Sequence, residues 1–301
     1  MTRGEFWNSR AHSMYSWSFL LDLRTRRSKS GRRVLCSLFT LCFVFVVYVV
    51  HWQRQCQSRC FDVGLNVEEK ALLLNTLDTL TREFNTAKIP FFLFAGSLLG
   101  SWRHHGIVPW DDEVDLVVPE ELKENVRGIL RALEPRYLLN EDRKVRWKFY
   151  SHLARPATEP KNGAFPFVDI RFFSVNDTHL WLGAAHDRPE PMYRKNLIFP
   201  LTLRPFEDRE LPTPGDTEAT LAVMLPEDPD VCRTSSSSWS GHREDSGARL
   251  VCACGPVACI QLHDRFPFVV RRPLDNVGCQ ETLMVNMTVL SWVTRRGQLR
   301  C

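Results

Sequence analysis

Four carboxylates, Asp111, Asp112, Glu113 and Asp115, fall within five positions of "AGSLLGSWRHHGIVPWDDEVDLVV" (residues 95–118), downstream of a Gly-Ser turn and just before an apolar run. On an extended segment alternate side chains share a face, so Asp111, Glu113 and Asp115 point one way and Asp112 and Val114 the other. Three carboxylates on one face repel one another unless a cation sits among them. A hard divalent ion such as Mg2+ or Mn2+ prefers such oxygen ligands and keeps coordination positions for substrate phosphates. Backbone amides around Gly96 and Ser97, at a predicted strand-to-helix turn, suit an anionic phosphate. A further carboxylate, Asp169, stands in the otherwise apolar "FPFVDIRFF". Such a group is costly to bury unless paired or metal-bound. It reads as a ligand or proton acceptor, or else as the salt-bridge partner of Arg171, two residues on and on the same strand face. Together these residues describe a phosphoryl-transfer site. The acidic alternation fits a calcium-stabilised loop as well, and spacing alone does not separate the two.

The elements that must position these residues follow from periodicity. "NVEEKALLLNTLDTLTREFNTAKI" predicts a helix: Asn66 and Glu69 form a capping-box pattern, and Leu73, Leu77, Leu80 and Phe84 recur on one face. Pro90 ends it, and Phe91–Ala95 predicts a buried strand. A short helix over Leu98–His105 stops at Gly106. Glu113–Val118 predicts the next strand, and a helix follows with Pro119 at its first position and Leu122, Val126, Ile129 and Leu133 on one face. "RWKFYSHL" and "FPFVDIRFF" predict strands, and "PGDTEATLAVML" a helix capped by Asp216 or Thr217. Arg233–Arg249 is Ser-rich and polar, as in a loop or disordered insert. Alternating helices and strands make the class α/β or α+β, with no requirement that the sheet be parallel.

"VLCSLFTLCFVFVVYVVHW" (Val34–Trp52) has no Asp, Glu, Lys or Arg and is long enough to cross a bilayer once. Much of the basic excess behind the net charge of +4 precedes it, from Arg3 to Arg33. That places the N-terminus in the cytosol and the rest of the chain in a lumen or outside, and assigns the charge to topology instead of nucleic-acid binding. The basic leader exceeds thirty residues and no small-x-small cleavage pattern follows the span, which argues against a cleaved signal peptide. Asn176-Asp177-Thr178 and Asn286-Met287-Thr288 are glycosylation sequons on the lumenal side. Eight of ten cysteines lie beyond the span: Cys56, Cys60, Cys232, Cys252, Cys254, Cys259, Cys279 and Cys301. Disulfides are expected in that compartment; a zinc site from Cys252, Cys254, Cys259 and His263 is the competing reading. Cys36 and Cys42 sit within the span.

"FAGSLLGSWRHHGIVPWDDEVDLVV" resembles the signature of the LicD/fukutin family: a Gly-Ser turn, Leu-Leu-Gly, Arg-His, Pro-Trp-Asp and an alternating acidic strand. The resemblance covers roughly Leu73 to Leu221, and the membrane-anchored layout is similar to that of the family's animal members. It implies a nucleotidyltransferase-like mixed sheet flanked by helices, behind an N-terminal transmembrane helix. It also implies transfer of a phospho-alcohol group, such as phosphocholine or ribitol phosphate, from a CDP-activated donor to a glycan acceptor. By that resemblance Gly96 and Ser97 match the phosphate turn, Glu113 and Asp115 the metal pair, Asp111 the preceding acid and Asp169 the later carboxylate. Glu113, Asp115 and Asp169 are thus expected to hold Mg2+ or Mn2+. Arg103 and His104 match the Arg-His and are expected to stabilise donor phosphate charge; Trp110 is expected in the core. Two departures stand out: Glu113 where the family more often has Asp, and "AVMLPEDPDVC" where it usually has an aromatic-Gly stretch.

The expected organisation is a cytosolic tail (1–33), a signal anchor (34–52), a stem (53–64), a catalytic domain (65–225) and a Ser-rich, Cys-rich extension (226–301). The expected location is the Golgi membrane or endoplasmic reticulum, single-pass type II. A catalytically silent glycan-binding or escort protein and a true nucleotidyltransferase are the alternatives.

Overall fold

The computed structural model describes residues 29–143, 146–157, 163–183, 191–225, 230–234, 255–274 and 278–296. The basic leader up to Arg27, most of the Ser-rich stretch, Cys252, Cys254, Cys301 and the side chains of Cys56 and Cys60 lie outside the described residues. The chain divides into Met1–Gln55 and a compact unit from Cys56 to Cys301.

In the first unit, helix α1 (Lys29–Cys60) begins; it runs on past the expected end of the span, so that most of the expected stem is helical. Its stretch Cys36–Arg54 has 19 residues and a mean hydropathy of 1.8, enough in length and composition for one membrane crossing. Cys36 and Cys42 are free thiols.

The second unit starts on α2 (Val67–Thr86). Its capping box forms as the sequence predicts: the Glu69 amide donates to Asn66 Oδ1 at 2.8 Å, and the Asn66 amide to Glu69 Oε2 at 2.9 Å. Leu73, Leu77, Leu80 and Phe84 are fully buried. Then come β1 (Phe92–Leu93), α3 (Ala95–His104), β2 (Val114–Pro119), α4 (Lys123–Arg131), β3 (Tyr137–Arg143) and β4 (Arg146–Ser151). The short pair β5 (Arg155–Pro156) and β6 (Ala164–Phe165) leads to β7 (Val168–Val175), β8 (His179–Leu182) and β9 (Tyr193–Arg194). After α5 (Lys195–Ile198), the hairpin β10 (Thr202–Phe206) and β11 (Arg209–Thr213) precedes α6 (Thr217–Met224), where Asp216 is the cap and accepts from the Ala219 amide. Finally β12 (Val231–Cys232) pairs with β13 (Val257–Ala258), and β14 (Phe268–Leu274), β15 (Gly278–Val285) and β16 (Thr288–Arg296) form an antiparallel meander.

Boundaries around the acidic stretch differ from expectation. Helix α3 starts at Ala95, one residue after the two-residue β1, where the chain turns with φ of 45°. Pro119 closes β2; a 3-10 turn follows before α4.

The main sheet runs β1-β2-β7-β4-β3, with β8 and β9 beyond β7. It is mixed: β2 and β7 are parallel, the other pairs antiparallel. Period-2 alternation divides its side chains. Val114, Leu116, Val118, Val168, Ile170, Phe172, Trp147 and Phe149 turn to one face and join α2 and α4 in the largest core cluster. The opposite face carries Val117 and Phe173 in a second apolar cluster at one end. At its other end stand Asp115, Asp169, Arg171 and Arg146.

The Cys-rich extension belongs to the same compact unit. Cys232 and Cys259 form a disulfide and share a core with Phe61, Trp110, Phe266 and Phe268. The zinc reading is thereby overturned at Cys259, whose sulfur is committed to Cys232. Cys279 is disulfide-bonded as well. Trp110 is core, as expected, and its indole N–H donates to the Arg233 carbonyl at 3.0 Å.

Candidate active site

Asp115 on β2 and Asp169 on β7 are register partners across the parallel pair, so their carboxyls project from adjacent strands on one face. Glu113 lies one residue before β2 and on the same side, as alternation predicts. Ligand oxygens of Glu113, Asp115 and Asp169 all lie within 4.8 Å of one another, and all three residues are buried.

Two arginines brace this triad from the sheet itself. Arg146, in register with Arg171, bonds Asp169 Oδ2 through Nε and Glu113 Oε1 through Nη2 at 3.0 Å. Arg171 reaches Asp169 Oδ2 at 3.5 Å and Asp115 Oδ1 at 3.6 Å. Asp169 therefore pairs with Arg171 and at the same time converges with the other acids. The arginines do not use every oxygen. Glu113 Oε2 and Asp169 Oδ1 are buried without a hydrogen-bond partner, and Asp115 Oδ1 has only the 3.6 Å ion pair with Arg171. Buried carboxylate oxygens that converge are costly unless a cation meets them, and their oxygen chemistry suits a hard divalent ion. The residues present thus fit a divalent ion.

Electrostatics agree with the geometry. Burial, then the charge of Asp169, pushes Glu113 up to about 7. Burial, followed by the charge of Glu113, holds Asp115 well above the usual carboxylate range. Asp111 stands beside the triad: its Oδ2 comes within 2.5 Å of the point where a Cβ on Gly96 would lie, and Asp115 Oδ2 within 3.5 Å of the same point. Burial and the charges of Asp115 and Asp112 push Asp111 up to about 7.

Gly96 and Ser97 form the first turn of α3. Any side chain at Gly96 would collide with the Asp111 carboxylate. The Ser97 hydroxyl accepts the Asp115 amide at 2.7 Å and so pins α3 to the start of β2. The turn is therefore built against the acids.

Arg103 and His104 lie elsewhere in the packing. The Arg103 guanidinium donates to His104 Nε2 at 3.2 Å and to Cys259 Sγ at 3.6 Å, and sits 5.7 Å from the Trp110 ring centre. His104 Nδ1 meets the Pro267 carbonyl at 2.6 Å. A carbonyl only accepts, so Nδ1 carries the proton and Nε2 receives the Arg103 N–H. Burial and the Arg103 charge hold His104 well below the ordinary histidine range, so it is neutral. The neutral, doubly bonded imidazole joins α3 to the C-terminal region.

Sequence reasoning missed one polar centre. Glu281 on β15, 1% exposed, receives Arg204 Nη2 on both oxygens at 2.8 Å, Arg271 Nε at 3.1 Å and His105 Nε2 at 3.1 Å. These partners come from α3's C-cap, β10 and β14, so Glu281 clasps the extension to the rest of the unit. The signal available was a single acid within "CQETLMV", too little to name partners as many as 176 residues away.

Residues 88–216 match the LicD/FKTN/FKRP nucleotidyltransferase domain. The site acids, Gly96, Ser97, Arg146 and Arg171 all fall inside this LicD-type segment, while Glu281 and the disulfide lie beyond it. The lipopolysaccharide cholinephosphotransferase LicD of Haemophilus influenzae is 39% identical over 49 residues, 16% of this chain and 18% of that protein. The Rickettsia prowazekii protein RP689, described as uncharacterized, is 37% identical over 67 residues, 22% of this chain and 25% of that protein. The matches thus span at most a quarter of the length of these relatives. The lincomycin-bound lincosamide antibiotic adenylyltransferase LnuA has 14% identity and a TM-score of 0.35, covering 57% of this chain and 92% of that one, a partial likeness that decides nothing further.

Proposed function

We propose that the chain is a metal-dependent phosphotransferase that moves a phospho-alcohol group, of the phosphocholine or ribitol phosphate kind, from a CDP-activated donor to a glycan hydroxyl. The observation that carries this reading is the buried convergence of Glu113, Asp115 and Asp169 within a LicD-type segment. These three residues would hold Mg2+ or Mn2+, which when bound neutralises charge on the phosphate oxygens. Arg146 and Arg171 orient the three carboxylates. The first-turn amides of α3 at Gly96 and Ser97 face the donor phosphates. The acceptor oxygen forms its bond to the donor phosphorus, the phosphorus–oxygen bond to CMP breaks, and the hydroxyl proton passes to Asp111. Asp111 suits that task better than Asp169, because Asp169 is fully buried and already bonded to two arginines.

The expected setting is a Golgi-type lumen with the N-terminus cytosolic. Asn176 and Asn286 are exposed on turns, where a glycan can be attached. The description of the matched domain as a nucleotidyltransferase favours one second reading, transfer of the nucleotide itself. The test is to incubate the full-length protein with a panel of CDP-alcohols and a glycan mixture, with and without Mn2+, and weigh the products. Metal-dependent CMP release with a phospho-alcohol adduct supports the proposal. An adduct retaining cytosine supports the second reading, and no turnover from folded, metal-binding protein argues for a silent relative.

A further inference from the structure

Asp111 borders a cavity of about 690 Å³, within the roughly 300–1,000 Å³ of small-ligand sites. The walls are assembled from separate parts of the chain: Leu65 before α2, Ile107 and Val108 ahead of the acidic stretch, the β10–β11 turn, and Leu283 and Val293 on β15 and β16. Leu65, Leu283 and Val293 lie outside the LicD-type segment.

The charges along this cavity discriminate between ligands. Its lysine and arginine are ion-paired and its two histidines hydrogen-bonded: Lys70 pairs with Glu207 at 2.7 Å, Arg209 with Asp78 and Asp208 at 2.8 Å each, His104 meets the Pro267 carbonyl and His105 meets Glu281. Asp111 and Glu210 are further acidic residues of the lining. A nucleotide diphosphate gains its binding energy from charge-assisted bonds to cations or amides, and here it would meet acids. Ionised carboxylates only accept hydrogen bonds, and the hydroxyls of a neutral sugar donate them. Ser291, exposed at the rim, can do both. Aliphatic walls cover the C–H faces of a ring. The cavity adjoins the acidic stretch through Asp111, whose carboxylate lies with that of Asp115 near one point over Gly96.

We infer that this cavity is the acceptor subsite and takes a neutral, hydroxyl-rich saccharide, with Glu210 and Ser291 as specificity-determining contacts. The ligand class is read from the cavity itself; its role as acceptor rests on the phosphotransferase reading. Selectivity would then come in part from strands β15 and β16 of the Cys-rich extension.

The experiment is saturation-transfer NMR on the full-length protein in nanodiscs, which avoids sugar-based detergents. The probes are N,N′-diacetylchitobiose, lactose, mannobiose and xylobiose, alone and with CMP and Mn2+. At least one probe should bind, keep its signal when CMP is added, and lose it at least about five-fold in Ser291→Trp and in Glu210→Gln. A retained Mn2+-induced thermal shift shows that each variant is folded, and either variant alone suffices for the comparison. Absence of binding by all four probes, displacement by CMP, or binding unchanged in a folded variant overturns the inference. Saccharide binding that survives in Asp115→Asn, together with a wild-type protein that turns over no CDP-alcohol, would refute the phosphotransferase reading and leave the saccharide site standing.

Discussion

Asp115 and Asp169 are 54 residues apart in the chain and directly opposite each other in the sheet, as register partners on parallel strands β2 and β7. Antiparallel neighbours reached by a tight turn would have needed the acids to be close in sequence. The parallel pairing brings two distant carboxylates together on the face away from α2 and α4. Glu113 completes the triad from the residue preceding β2.

Asp115→Asn removes a ligand and also relieves repulsion in a crowded acidic site. The metal-free protein should therefore melt at the wild-type temperature or slightly above it. Mn2+ at 100 times its dissociation constant should stabilise the wild type by about 2.7 kcal/mol, and the variant at the same concentration much less. Loss of a ligand should cost more than the roughly 10–100-fold in affinity typical of outer-shell changes, and turnover should disappear with it. Melting scans with and without Mn2+ read both effects; an equal shift in the variant would exclude Asp115 as a ligand. Asp112→Asn, changed at the residue alternation turns away from the triad, should keep the shift.

A Cβ would meet a side chain at Gly96 and backbone at Gly64. A Cβ on Gly96 would fall 2.5 Å from Asp111 Oδ2, the end of a side chain that can swing away. Gly96→Ala should fold, with Asp111 displaced and turnover lowered more than stability. A Cβ on Gly64 would fall 2.0 Å from the Asp111 backbone carbonyl, against a segment fixed by the bond from the Gly64 amide to the Pro109 carbonyl. Gly64→Ala should destabilise the fold by about 1–3 kcal/mol, the usual cost of overpacking. Paired urea titrations and activity assays separate the two.

The acids were legible because their signals are local: alternation in "DDEVD", and one carboxylate isolated in "FPFVDIRFF". The helix α2 was legible for the same reason, since its cap and its stripe lie within one segment. Arg146 was not, although "RWKFY" alternates basic and aromatic residues, because its partner depends on how β4 registers against β7. Motif position likewise does not show how His104 is held. Its role follows from a carbonyl 163 residues on and a neighbouring guanidinium, neither of which a motif records. The meander β14–β16 was obscured by the cysteines and serines around it, although its second turn, at Asn286 and Met287, has the paired positive φ angles of a tight hairpin.

Glu281→Gln should be strongly destabilising. The carboxylate serves Arg204, itself 1% exposed, as well as Arg271 and His105. Removing its charge leaves buried cations uncompensated, at a typical cost of about 3–5 kcal/mol. The cost should appear as a lower urea midpoint. Detachment of β14–β16 ahead of the main sheet would appear as faster amide exchange in those strands.

Acid should erase that difference between wild type and Glu281→Gln. Burial alone would raise the Glu281 carboxyl, but the His105 hydrogen bond and the Arg204 and Arg271 charges prevail and bring it down to about 2. A glutamate in the unfolded chain titrates near about 4.3. A depressed carboxylate contributes its stability in full above the unfolded value and loses it as pH falls toward the folded one. A drop of this size is worth about 3 kcal/mol. The contribution should be constant from about pH 8 to pH 5 and fade between about pH 4 and pH 2. Protonated glutamate and glutamine are both neutral and nearly the same shape, so the gap in urea midpoint seen at pH 6 should narrow steadily through that acid window. A gap that stayed constant to pH 2.5 would mean that the Glu281 charge is not what holds the extension in place.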